Sequence, residues 1–288
     1  MVQLDVPAFV FLANRIMSRN ANGSDAVRLR RFRAHFGASP EVVTALWNRL
    51  DILDRVPAGG GPQHLLWCLL FMKVYSTEEV LASIVGTSEK TFRKWVWLFV
   101  YAVSSLAPDL IRWNRRLPQN HQTAAFRCWT SVDGTDFRIY EPRPFDRGLY
   151  SHKFKGPGLR YEVALCIRTG RIVWINGPFK AGNWSDLRIF KEDLIHRLLP
   201  GETLVADGTY KNPRCNLPND FDHPLVAAWK ASVRARHETV NRRFKQFYCL
   251  HHKFRHHRLK HGIIFRSVAV ITQLSLMNGE PLYQIHDA

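Results

Sequence analysis

Asp133, Asp207 and Glu238 are the residues of this 288-residue chain whose types and settings point most directly to chemistry. Asp133 ends the apolar run Cys128-Trp129-Thr130-Ser131-Val132, Asp207 ends Thr203-Leu204-Val205-Ala206, and a glycine follows each. Glu238 is the only acid between Ala231 and Arg266, a stretch that holds ten Lys or Arg. Carboxylates brought together from two strand ends and a helix suit Mg²⁺ or Mn²⁺ rather than zinc. Ionised oxygens are hard donors, and packed like charges need a cation to neutralise them. Two such ions over a phosphodiester would support in-line attack at phosphorus and stabilise the leaving 3′ oxygen. Asp136 competes for the first position and ranks below Asp133, which ends the more apolar run. Asp186 reads as a helix N-terminal residue favoured by the dipole. Asp220 and Asp222 read as solvated loop acids.

The elements that must position these groups are legible as a change of pattern. Up to about Pro118 the chain reads as helical. A short first helix precedes a polar loop at 18–25. Ser39 caps a helix that begins at Pro40 and runs to about Leu50, and a further helix covers 63–75. Two short helices then meet at Gly86, with Thr87 or Ser88 capping the second. That layout, about 76–100, matches a helix-turn-helix, with Lys90, Arg93 and Lys94 facing DNA and Phe92, Val96 and Phe99 packing inward. Ordinary helix packing is the competing reading. Beyond Pro118, strand candidates fall at 126–133, 136–140, 160–167, 171–177, 203–207 and 224–229, with a tight turn at Gly170. Helices are expected at 187–199 and 232–250. This is an α/β sheet covered by helices. On the last helix, Val233, His237, Val240, Phe244 and Phe247 form the buried stripe. Glu238 lies roughly 140° from Val233, beside Arg234, Asn241, Arg242 and Lys245. An Arg234–Glu238 pair is the simpler account of that acid taken alone.

Composition narrows the partners. Lys plus Arg is 41 against 24 Asp plus Glu, a net charge of +17 and a pI near 10.1. Such an excess favours a polyanion, nucleic acid before membrane. At 46% hydrophobic the chain can bury a sizeable core. Five separated cysteines with no Cys-x-x-Cys fit free thiols in a reducing compartment. The apolar run 65–74 is too short to span a bilayer, and the N-terminus has no secretory pattern. A nuclear or cytoplasmic protein is expected. The histidines at 251, 252, 256, 257 and 261 have no cysteine or carboxylate to complete a zinc site, and the interleaved Lys and Arg suggest phosphate contact.

Five segments together resemble the DDE-type endonuclease domain of PIF/Harbinger transposases and of nucleases derived from them. They are Ser131-Val-Asp-Gly-Thr135, Tyr150-Ser-His-Lys-Phe-Lys-Gly-Pro-Gly-Leu-Arg-Tyr-Glu-Val163, Gly182-Asn-Trp-Ser-Asp-Leu-Arg-Ile-Phe190, Val205-Ala-Asp-Gly-Thr-Tyr210 and Arg236-His-Glu-Thr-Val-Asn-Arg-Arg-Phe-Lys245. The likeness covers about 126–285. It is looser in the front end, including Phe32-Arg-Ala-His-Phe-Gly-Ala-Ser-Pro40.

The resemblance implies a ribonuclease H-like mixed sheet with flanking helices (125–288) behind an all-α DNA-binding domain (1–124). It implies Asp133, Asp207 and Glu238 as the catalytic and metal-binding triad for two Mg²⁺ or Mn²⁺. The family pattern often has His where Asp136 stands. Lys153, Lys155 and Arg160, with Arg234, Arg242 and Lys245, are the candidate DNA contacts beside Lys90, Arg93 and Lys94. Double-stranded DNA, further copies of the chain and a separate Myb-like protein are the implied partners; the nucleus is the implied compartment in a eukaryote. The implied activity is strand cutting and joining at transposon ends. A DNA-binding protein that no longer cuts is the alternative, and an RNA-processing nuclease has less motif support.

Overall fold

The computed structural model describes residues 4–17, 24–123 and 127–285. Most of the polar loop expected at 18–25, the start of the strand expected from 126 and the domain boundary at 124/125 lie outside them. The chain divides into two compact units that are not contiguous in sequence. One comprises residues 1–110, 244–252 and 259–280, the other 111–243, 253–258 and 281–288.

The first unit is helical. It contains α1 (Val6–Ile16), α2 (Asp25–Phe36), α3 (Pro40–Ile52), α4 (Pro62–Val74), α5 (Glu78–Val85), α6 (Glu89–Ser105) and α7 (Ala107–Leu110). Caps set most starts: Ser39 accepts from Val42 N, Thr77 from Val80 N and Ser88 from Thr91 N. Gly86 ends α5 at φ 69, the left-handed conformation that glycine adopts without a Cβ clash. Phe92, Val96 and Phe99 are buried as expected.

The second unit holds the sheet. Its strands are β1 (Cys128–Arg138), β2 (Tyr150–Ser151), β3 (Gly156–Cys166), β4 (Ile172–Lys180), β5 (Thr203–Val205) and β6 (Cys215–Asn216). β3 pairs antiparallel with β1, β4 and the short β2, whereas β5 runs parallel to β1 and β6 parallel to β5. Reading across, the order is β4-β3-β1-β5-β6. The two strands expected at 126–133 and 136–140 are one unbroken strand, because Gly134 stays in the ladder opposite Glu162. Gly170, at φ 66, turns β3 into β4.

Helices cover both faces. α8 (Asp186–Glu192), capped by Ser185, and the 3₁₀ turn Leu194–Arg197 replace the single helix expected at 187–199. They pack Phe190 and Leu194 against Val132, Ala164 and Leu204. α9 (Pro224–Lys245) lies on the opposite face, where Val233 and Trp229 pack on Val205 and Ile167. The run 224–229 is therefore the first turns of α9 and not a strand. Short apolar runs do not distinguish the two states, and Trp229 and Val233 at i,i+4 fix the helical one. α10 (Tyr248–His251) and α11 (His261–Met277) return to the helical unit, where Ser267 Oγ on α11 donates to Val100 O at 2.9 Å. The molecule is thus an α/β protein with a mixed sheet and flanking helices, compatible with a ribonuclease H-like fold.

Candidate active site

The register of β1 and β5 builds the site. Ser131 sits opposite Val205, so Asp133 and Asp207, each two residues further on, stand at one level. β1 runs on beyond this point, whereas β5 has ended. Adjacent strands lie about 4.8 Å apart, and the two carboxylates feel each other. Burial pushes the pKa of Asp133 up and the charge of Asp207 adds to the rise. Lys153 and hydrogen bonds from Gly134 and Asn241 work against it. Asp207 Oδ1 accepts from Thr209 N at 2.9 Å and from Thr209 Oγ1 at 2.5 Å, which folds the Asp-Gly-Thr loop around it.

α9 meets this pair through an i,i+4 set. His237 Nε2 lies 2.8 Å from Ser131 Oγ, and Asn241 Nδ2 donates to Asp133 Oδ2 at 3.2 Å. Val233, His237, Val240, Phe244 and Phe247 are buried, as the stripe predicts. Burial holds the His237 ring at a pKa of about 4 despite its contact with Ser131 and the charge of Asp207, so it stays neutral. Glu238 is exposed. It precedes Asn241 by three residues and sits about 60° round the helix. Its charge is felt by the Tyr283 phenol. Among the described residues no group of three or more His, Cys, Asp or Glu converges to hold a metal ion. What the structure gathers is two aspartates and the Asn241 amide, a residue whose type gave no sequence signal. Its spacing gave one, since 233, 237 and 241 share a face.

Asp136 is three residues from Asp133 and therefore points to the other side of the sheet. It is saturated there. Arg160 donates to both its oxygens, at 2.7 and 2.9 Å, and Ser151 Oγ at 2.6 Å. Burial works against its charge, but these hydrogen bonds hold its pKa below the ordinary value. Arg160, expected among the DNA contacts, is 8% exposed and also donates to Trp184 O at 3.0 Å. Its guanidinium serves this buried pair.

Asp186 belongs to the same neighbourhood, a placement its dipole reading missed. It is buried at the first position of α8, and its Oδ1 has no hydrogen bond. A Cβ added at Gly134 would lie 1.8 Å from that oxygen, so the glycine leaves room for the Asp186 carboxylate against β1. Burial raises the Asp186 pKa and Asp133 and Asp136 add to it, while Lys153 and Arg160 oppose it. Lys153 caps the arrangement: its Nζ donates to Gly134 O at 2.7 Å and lies 3.9 Å from Asp186.

The other expected DNA contacts are distributed as follows. Lys155, Arg242 and Lys245 are exposed and Arg234 is half-buried. Lys90 and Lys94 are exposed on α6, the latter over the Trp95 ring at 4.9 Å. Arg93 is exposed but engaged by Glu78 and Glu89. Across 78–105 three basic residues are matched by three acidic ones. No helix among the described residues is long and apolar enough to cross a membrane. No protein-family model, curated protein or solved structure matches the chain.

Proposed function

We propose that the chain is a metal-dependent DNA endonuclease of the transposase type, with a ribonuclease H-like catalytic unit that cuts and joins strands at element ends. The carrying observation is the side-by-side placement of Asp133 and Asp207 where β5 stops, with the Asp133 carboxyl pushed up by burial and by its neighbour's charge. A cation between them would relieve that repulsion, and both groups are hard oxygen donors, so the residues present fit Mg²⁺ or Mn²⁺. When bound, such ions supply activation of water and charge stabilisation at the phosphate. Asp133 and Asp207 would hold them, and α9 would supply the third donor. Asn241 is the α9 group already in contact; Glu238, the acid expected there, stands one turn earlier. His237 and Ser131 lock α9 in register with β1. Lys153 lies where it can balance the acidic side as a phosphate arrives.

The net charge of +17 supports a nucleic-acid substrate, and the helix pair α5–α6 is the proposed groove reader. Lys90 and Lys94 are its available cations, because Arg93 is held by two glutamates. Replacing both lysines by Ala should weaken duplex binding a few-fold and leave cleavage of bound substrate unchanged; unaltered binding would reduce α5–α6 to a packing module. Assembly of several copies on DNA, a Myb-like partner and a nuclear location follow the same reading. The decisive experiment is incubation of the purified protein with supercoiled plasmid. Nicks that appear with Mg²⁺ or Mn²⁺ and vanish with chelator are expected. Tight binding without nicks under any divalent ion would instead favour the non-cutting DNA-binding protein.

A further inference from the structure

A second feature of the sheet unit faces solvent where β1 ends. Arg138, Phe145, Tyr150, Phe154, Lys155 and Lys253 surround a cleft of about 340 Å³, with Glu141 at its side. Its walls are aromatic and its charge is basic. The Arg138 guanidinium lies 5.0 Å from the Phe154 ring centroid. Phe145 keeps 60% of its surface in water, although burial of such a ring is favourable. Lys155, in the turn between β2 and β3, has φ 53. Non-glycine residues adopt that conformation rarely, and it recurs at ligand clamps.

We propose that this cleft binds one unpaired nucleotide of a nucleic-acid strand, its base stacked among Phe145, Tyr150 and Phe154 and its phosphate met by Lys155 and Lys253. The assignment rests on the nucleic-acid reading above and adds a subsite to it. Its volume falls in the range of small-ligand pockets. Stacking platforms interleaved with cations are how proteins hold single-stranded bases. A base inside a duplex offers only its edges, so it must leave the stack to enter. Glu141 can accept a hydrogen bond from an exocyclic amino group. Arg138 follows Asp133 by five residues of one strand, about 17 Å at 3.4 Å per residue, an odd step that turns its side chain, like that of Asp136, to the other face of the sheet.

The test uses the full chain in chelator, so that no cutting is required. Binding of a labelled single-stranded octanucleotide is followed by fluorescence anisotropy, beside the same strand with an abasic residue at each position in turn and a hairpin duplex. Phe145→Ala should weaken single-strand binding about tenfold, as loss of one stacked base does. In the wild type one abasic position should cost about as much, and in Phe145→Ala that position should cost nothing further. Duplex binding should change less than twofold, and Phe145→Trp should restore single-strand affinity. A flat abasic scan, or equal loss on single strand and duplex, overturns the proposal. A free nucleoside monophosphate that binds as tightly as the octanucleotide overturns the strand assignment in favour of a nucleotide site. Loss of nicking activity alone would strike the nuclease reading and leave this binding pattern standing; active nicking with a flat scan would remove only the cleft.

Discussion

Asp133 and Asp136 are three residues apart on one strand and have opposite fates. On the α9 side Asp133 is half-buried beside Asp207 and accepts a hydrogen bond from the Asn241 amide, and burial with the charge of Asp207 raises its pKa against the pull of Lys153. On the α8 side Asp136 sits in the fork of Arg160 and its pKa is lowered. Under the proposed function, the difference separates structural charge from functional charge. A carboxylate that already has its counter-ion holds the fold together. One that is desolvated against a like charge is a place for a cation to arrive.

The largest expected contrast follows. Asp133→Asn and Asp207→Asn should each reduce metal-dependent nicking by about a thousand-fold or more, and the double variant should be no worse, because the two act as a unit. Thermal unfolding without metal should be unchanged or shift upward, since a half-buried like-charge contact has been removed. Wild-type nicking rates in either variant would break the comparison at its centre.

Arg160→Met attacks the other side. It leaves Asp136 buried without its partner and should cost about 3–5 kcal/mol of stability in denaturant unfolding, with most of the loss recovered in an Arg160→Met, Asp136→Leu double variant. If Arg160→Met is as stable as the wild type, the pair is not what supports this part of the sheet.

The contribution of α9 can be sharpened by comparing Asn241→Ala with Glu238→Gln. Asn241→Ala should weaken Mn²⁺ binding, read by paramagnetic resonance of the free ion, and nicking together, each about 10–100-fold. Glu238→Gln should alter both less. The reverse ranking would return the third ligand to the glutamate.

The smallest effect concerns Glu162, opposite Gly134 in the ladder. Burial raises its pKa to about 8, although Trp174 Nε1 donates to it at 3.0 Å. The folded state therefore keeps a proton that the unfolded chain releases near pH 4.5. Its contribution to stability is complete below that pH, declines as pH rises and is lost above about 8. Glu162→Gln should flatten the melting temperature across this range. An equal slope in the variant would mean that another group carries it.

The sequence by itself determined a good deal of this. The apolar run ending in Asp207-Gly208 announced the end of β5, whereas β1 continues through Asp133-Gly134 to Arg138. The 3.6-residue stripe from Val233 to Phe244 fixed which face of α9 is buried, Ser39 announced α3, and Thr87 or Ser88 announced α6, which Ser88 caps. It placed Glu238 on the polar side of α9, where it lies. Tertiary structure decided the rest, because these outcomes depend on neighbours distant in sequence. The register of β5 on β1 sets Asp207 level with Asp133, and strand alternation sends Asp136 to Arg160 on the opposite face. The missing Cβ of Gly134 admits Asp186. Residues 224–229 became helix because Trp229 and Val233 found one sheet face to cover. Asn241 carries no charge, and its i,i+4 spacing from His237 told only which face it shares; the carboxylate it touches marks it, and α11 joined the helical unit because its apolar faces had α6 to bury against. Local periodicity records which side of an element avoids water, whereas the identity of the partner on that side is fixed only when the chain has closed on itself.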